Sequence, residues 1–308
     1  MYFEEDSFIL TKKEKFIIGN KQMKMIKPIV NIAKIADDYD TFILGFDGVL
    51  SEGNGILPDA ATCLNNLFER HKQVILLSNT SQRVIQLAET LQQGGVSPSR
   101  FACVMTSGEV LHYMLKSHSE AYAALGNVYY HIGDNSSKGV FYGLDYSVTA
   151  DIEKAHFIYM SEVSDIGDTI DTYRPLLEQA ANLGMPFVCA GNDTSCFKNG
   201  KICLAPGALA EQYAIMGGRI ITLGKPDVRM FRYCTDSLPD IGRVIVIGDN
   251  VATDIKAATA LEYDSVLISK GIHVNYLGEG YIPDVAKTRE LSNNYDSSPN
   301  FVISNLRW

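Results

Sequence analysis

The chain of 308 residues lacks any apolar run approaching the roughly 18 residues that a membrane helix requires. A membrane is therefore not expected as a partner. Positive charge is also scarce: 27 Lys and Arg against 36 Asp and Glu leave a net charge of −9. Such a chain repels a phosphate backbone, so nucleic acid is not expected either. Its six cysteines form no C-x-x-C pair, which argues against a structural zinc or a redox pair. Cys63, Cys103, Cys189, Cys196, Cys203 and Cys234 read instead as buried small hydrophobes. The histidines show no H-E-x-x-H spacing and read as packing or surface residues. Met1 to Asp6 is acidic, unlike the positive start of a secretory signal, so a cytoplasmic location is expected.

What is present is the composition of a globular protein, 46% hydrophobic and 20% charged. From about residue 29 onward, short β-branched runs alternate with segments of helical period, the pattern of an α/β fold with a mostly parallel sheet. Strands are expected at Thr41–Phe46, Gln73–Ser78, Ala102–Thr106, Asn127–His131, His156–Met160, Pro186–Ala190, Val244–Ile247 and Ser265–Ser269. Several are continuously apolar, as for strands buried on both faces. Helices are expected at Asp59–Arg70, Val84–Gln93, Gly108–Lys116, Asp168–Leu183, Gly207–Met216, Asp227–Cys234 and Asp254–Leu261. Residues 1–28, set off by Lys27 and Pro28, read as an appendage. Gly133–Gly139 lacks the order of a phosphate loop and reads as a turn, and Phe301–Ser304 reads as a last strand or tail on the core.

Polar residues gather where strands end, the place where open α/β sheets bind ligands. Phe46-Asp47-Gly48, Ser78-Asn79-Thr80 and Gly248-Asp249-Asn250 each close an apolar run, and Lys225 immediately precedes a helix. An alcohol, an ammonium and several carboxylates in such positions suit a phosphate held together with a divalent metal. Each cluster alone also suits a turn or helix cap.

In order, F-D-G-V-L, L-L-S-N-T, G-K-P-D and V-I-G-D-N-V-A-T-D-I resemble the haloacid dehalogenase (HAD) superfamily, and within it the NagD-like phosphatases of subfamily IIA. The resemblance implies a Rossmann-like core with an inserted α/β cap of the C2 type. It divides the chain into a core of residues 29–119 and 220–308 and a cap of residues 120–219. It implies phosphate contacts from Ser78, Asn79 and Lys225, and Mg²⁺ bound at Asp47, Asp249 and Asp254, with Asn250 in support. Asp47 takes the position of the general acid and base. Asn192 and Asp193 occupy the place of a substrate loop on the cap. The implied ligand is a small phosphorylated metabolite, and subunits of this class often pair as homodimers.

One position departs from the family. Its first motif reads D-x-D-G-[TV], and the register set by Gly48-Val49-Leu50 places Gly45 where the nucleophilic aspartate belongs. Glycine has no nucleophile, and removing one from a hydrolase lowers kcat by roughly 10⁶-fold in the best-studied case. Asp40 lies toward the opposite end of the strand and Asp47 is two residues out of register, so neither substitutes for it. A glycine inside an apolar strand is itself mildly unfavourable. The sequence is consistent with a phosphatase scaffold whose hydrolysis is severely impaired, with a weak hydrolase using a metal-activated water, or with a noncatalytic module for a phosphorylated ligand or a protein.

Overall fold

The computed structural model describes residues 25–118, 122–133 and 139–308. The first strands of the core are β1 (Lys27–Pro28) and β2 (Thr41–Leu44), followed by α1 (Pro58–Glu69), β3 (Gln73–Ser78), α2 (Val84–Gln93), β4 (Cys103–Thr106) and α3 (Ser107–Lys116). A second layer then contains β5 (Val128–Ile132), β6 (Ser147–Thr149), β7 (Phe157–Met160), α4 (Ile170–Asn182) and β8 (Phe187–Ala190). It continues through β9 (Ser195–Lys198), β10 (Lys201–Leu204), α5 (Pro206–Ile215) and β11 (Ile220–Leu223). The chain returns to the core with α6 (Val228–Thr235), β12 (Val244–Gly248), a π-helical turn at Val251–Ile255 that runs into α7 (Lys256–Ala260), and β13 (Asp264–Ile268). It closes with α8 (Val274–Leu277), α9 (Val285–Asn294) and β14 (Phe301–Ile303).

Two parallel sheets result. The core sheet runs β1-β14-β13-β12-β2-β3-β4, and the cap sheet runs β11-β8-β7-β5-β6, with the antiparallel hairpin β9–β10 beside it. The central strands are buried along their whole length because Thr41–Leu44 and Val244–Gly248 carry aliphatic side chains on both faces. From β2 the chain builds outward through β3 and β4, then returns to add β12 on the other side. That reversal opens a crevice at the carboxyl ends of β2 and β12, where Leu44 pairs with Ile247.

α1 shows how the cover is built. Ala60, Cys63, Leu64 and Leu67 fall on one face and are buried, and Pro58 occupies the first turn, where its missing N–H costs nothing. The cap is not an independent bead. Ile43, Ile75 and Val110 of the core share one apolar cluster with Tyr129, Phe141, Tyr159 and Val188 of the cap.

The boundaries differ from the sequence expectation in two places. Lys27 and Pro28, assigned above to the appendage, pair in parallel with Phe301 and Val302 and so belong to the core sheet, while residues 1–24 lie outside the described residues. Residues 220–223, assigned above to the core, form β11 and pair with β8 in the cap sheet. The run Ile220–Leu223 is too short to reveal from sequence which sheet recruits it. Residues 134–138 of the expected turn also lie outside the described residues. Phe301–Ile303 is a strand, as expected. Cys103 and Cys234, read above as buried small hydrophobes, are disulfide-bonded across 131 residues of sequence. β4 and α6 bring their Cα atoms to 5.6 Å, a proximity that no local spacing could show.

Candidate active site

Gly45 continues β2, donating its N–H to the Ile247 carbonyl at 2.9 Å. Its backbone is not left-handed, so the conformation does not require glycine. A Cβ built there would lie 3.6 Å from Lys225 Nζ, 3.6 Å from Asp254 Oδ1 and 3.3 Å from Val49 Cγ2. A side chain at this position thus points at the ammonium with one methyl group to displace slightly. Gly48 is different. Its φ is +70°, and a Cβ would fall 1.8 Å from Asp249 Oδ2, so the turn needs glycine both for conformation and for close approach. Asp40 is at the far end of β2, accepting from the Arg243 amide at 2.8 Å.

Lys225 follows β11 by two residues and is buried. Its Nζ donates to Asp254 Oδ1 at 2.7 Å and to the Leu77 carbonyl at 3.2 Å. The second oxygen of Asp254 accepts from the Asn250 amide at 3.2 Å. Asn79 fastens the same lysine by its backbone: Lys225 N–H donates to Asn79 Oδ1 at 2.7 Å, and Asn79 Nδ2 donates to the Lys225 carbonyl at 3.1 Å. Ser107, at the start of α3, also donates to Asn79 Oδ1, at 3.3 Å. Ser78 ends β3 and its Oγ accepts from the Thr80 amide at 3.1 Å.

The cap contributes a carboxylate. Asp193 Oδ1 accepts from Asn250 Nδ2 at 2.8 Å and from Thr253 Oγ1 at 3.1 Å, which ties the cap to the loop after β12. Asn192 turns the other way, donating through Nδ2 to the Gly224 and Lys225 carbonyls at 3.1 and 3.3 Å. Asp47, Ser78, Asn79, Asp193, Lys225, Asp249 and Asp254 line one niche of about 30 Å³, while Asn192 stands behind it.

Four carboxylates therefore face one ammonium. Burial, then the neighbouring Asp193 charge, push the Asp47 carboxyl up to about 6, against the pull of Lys225. Burial, then Asp254, push Asp249 well above the ordinary carboxylate range, and burial also raises Asp193. Burial would lower the Lys225 ammonium, but Asp254 and Asp193 outweigh it and hold the group raised. The excess of negative charge fits a cation. Among the described residues, however, no group of three or more His, Cys, Asp or Glu is arranged to hold a metal ion. Mg²⁺ ordinarily needs only one or two carboxylates beside phosphate oxygens and waters, and four carboxylates line the niche. Asp249 is firmly seated, accepting from the Ile272 amide at 2.8 Å.

A larger cavity of about 280 Å³ opens beyond the niche and shares Phe46, Asp47, Asn79, Asp193 and Cys196 with it. The β9–β10 hairpin roofs it, and the Gly200 amide donates to the Glu52 carbonyl of the core at 3.0 Å. Several wall residues were not singled out from the sequence: Ser161, Glu162, Cys196 and Phe197 come from cap elements far apart in the chain, and no motif marks them. Cys196, expected as a small buried hydrophobe, sits with its Sγ 3.4 Å from that of Cys203.

Comparison with known proteins agrees with this architecture. The haloacid dehalogenase-like hydrolase family matches residues 42–146, and a HAD-hydrolase-like family matches residues 222–307. A dihydroxyacetone phosphatase of Corynebacterium glutamicum is 25% identical over 246 residues, covering 75% of this chain and 82% of that protein. A crystal structure of a haloacid dehalogenase-like hydrolase from Brucella suis superposes with a TM-score of 0.74 at 24% identity, over 90% of this chain and 98% of that one. A glycerol phosphate phosphatase from Mycobacterium tuberculosis in complex with magnesium superposes with a TM-score of 0.56 at 18% identity, over 77% of this chain and 70% of that one. The two matched stretches leave residues 147–221, the greater part of the cap, between them, and in both the chain matches haloacid dehalogenase-like hydrolases.

Proposed function

We propose that this chain is a Mg²⁺-binding phosphatase scaffold for a small phosphorylated metabolite, with phosphoric monoester hydrolysis severely impaired at Gly45. The observation that carries the reading is the direction of the absent side chain: a Cβ at Gly45 faces Lys225 Nζ and Asp254 Oδ1, each at 3.6 Å. The lysine is in place to neutralise a nucleophile and phosphate, and what it faces is a hydrogen atom. Similarity to a dihydroxyacetone phosphatase supports a small ester as ligand.

Lys225 and Ser78 hold the phosphate at the ends of β11 and β3, and Asn79 fixes the lysine backbone. Asp47 would serve as general acid and base, the role its place in the first motif implies. Asp254, expected among the metal ligands, spends one oxygen on Lys225 Nζ and the other on the Asn250 amide, and so orients the lysine. Asp47 and Asp249 would hold Mg²⁺, which when bound supplies positive charge to the phosphate oxygens. With no carboxylate at residue 45, no aspartyl phosphate forms. The reading includes a homodimer, for which Tyr142 and Ile215 offer exposed apolar surface on the cap; light scattering on the purified chain tests it.

The deciding experiment compares the protein with Gly45→Asp and Gly45→Asn, with Mg²⁺, on a panel of phosphomonoesters. Gly45→Asp should raise turnover by at least about 10³-fold while Gly45→Asn, of the same shape, should not. Robust turnover by the glycine form, unchanged by aspartate, would sink the assignment. Phosphate binding with no turnover in any variant would instead favour a noncatalytic phospholigand module.

A further inference from the structure

The cavity beyond the phosphate niche carries its own chemical preference. Asp47, Glu162 and Asp193 line it, whereas among the described lining residues none is Lys, Arg or His. In the adjoining niche the only described cationic side chain is Lys225, which is engaged by Asp254 and the Leu77 carbonyl and faces the phosphate position. Glu162 itself is paired outside the cavity lining: Lys198 Nζ donates to Glu162 Oε2 at 3.2 Å and to the Val163 carbonyl at 3.3 Å. The rest of the wall is neutral and rich in groups that both donate and accept, among them Ser51, Thr80, Ser81, Gln82, Thr90 and Ser161. Phe46, Leu87 and Phe197 supply apolar surface between them. A volume of about 280 Å³ is small for a ligand pocket, which runs from roughly 300 Å³ upward for drug-sized molecules.

From this we infer that the site selects phosphate monoesters of small, uncharged, hydroxylated groups and disfavours esters bearing a carboxylate or a second phosphate. The inference rests on the site being a phosphate site, and concerns what the cavity accepts beside it. A hydroxylated group finds partners along the wall. An additional anion meets Glu162 and Asp193 in a partly desolvated space, where the cations at hand, Lys225 and the proposed Mg²⁺, are taken up by the ester phosphate, which raises the penalty above that in open water.

Isothermal titration calorimetry on the full chain with Mg²⁺ separates the possibilities, with inorganic phosphate, glycerol phosphate and phosphoglycerate as probes. Glycerol phosphate should bind at least about tenfold more tightly than phosphoglycerate, a difference that shrinks as salt rises. Glu162→Gln removes one wall carboxylate and leaves Lys198 without its counter-ion, so it should narrow the gap to about threefold or less. Lys198→Met should widen it; because the two variants move in opposite directions, a shared folding defect cannot imitate the pair. Equal affinity for the two esters, or a gap that neither variant moves, overturns the selectivity while leaving the phosphate site standing. If inorganic phosphate itself does not bind, the phosphate site falls and the selectivity falls with it.

Discussion

Lys225 and Asp254 form a buried ion pair, Nζ to Oδ1 at 2.7 Å, with side chains only 7% and 3% exposed. Removing one partner of such a pair leaves a bare charge in a poorly hydrated site, at a cost of about 3–5 kcal/mol. Lys225→Met should lower stability by that amount in urea unfolding and abolish phosphate binding. The double change Lys225→Met with Asp254→Leu should recover most of the stability and none of the binding. A double variant as unstable as the single one would show that the pair itself, and not the orphaned carboxylate, sets the loss.

Gly48→Ala places a methyl group into Asp249 Oδ2 at a residue whose φ is +70°. Strain and displacement of a buried carboxylate add, so a loss of at least about 2 kcal/mol is expected. Gly55→Ala, also left-handed but with nothing within 4 Å of its Cβ, isolates the conformational part. Thermal or urea unfolding of the two variants checks the ordering: Gly48→Ala should be clearly the worse.

His273 gives stability a pH dependence of known sign. Burial pulls its imidazole down to about 4, and Val251 N–H donates to its Nε2 at 3.3 Å, a bond that only the unprotonated nitrogen accepts. Unfolded, the group titrates near 6.5, so between about 6.5 and 4 the unfolded chain binds more protons. The stabilisation is fully present above pH 6.5 and is lost as pH falls toward 4, by roughly 3 kcal/mol at most. His273→Gln can keep the acceptor without titrating. The stability difference between the parent and this variant should therefore shift in favour of the variant from pH 7.5 to about 4.5, and a difference independent of pH would contradict the assignment.

Asn79 makes hydrogen bonds to both sides of the Lys225 peptide. Asn79→Ala strands the buried Lys225 N–H, while Asn192 still serves the carbonyl, with an expected cost of about 1–3 kcal/mol. Phosphate affinity should fall at least tenfold while Lys225 remains chemically intact, a loss of about 1.4 kcal/mol in binding. Unchanged affinity by calorimetry would mean that the lysine is held by Asp254 alone.

Much of this site was legible because four polar clusters follow apolar runs in one order along the chain, although each alone would suit a turn or helix cap. Asp47, Ser78, Lys225, Asp249 and Asp254 all stand in such places, and the parallel sheet brings them to one crevice. The strands β2, β3, β7, β8 and β12 were readable since their side chains are apolar on both faces. What escaped depended on contacts across the sequence. β11 joins the cap sheet because β8 lies next to it, not because of anything in Ile220–Leu223. α9 buries only Thr288, Leu291 and Ser292, too weak an apolar stripe to stand out. Glu162 and Cys196 reach the cavity from separate cap loops and strands, and Cys103 meets Cys234 only after β4 and α6 have packed.

The chain leaves the cap at Leu223 and two residues later becomes the phosphate-facing lysine. Asn79 of the core grips that lysine's backbone, and Asn192 of the cap holds the same peptide carbonyl from the other side. One peptide carbonyl thus joins the two sheets at the phosphate end, so a change at Asn192 of the cap would be felt at the lysine without touching its ammonium.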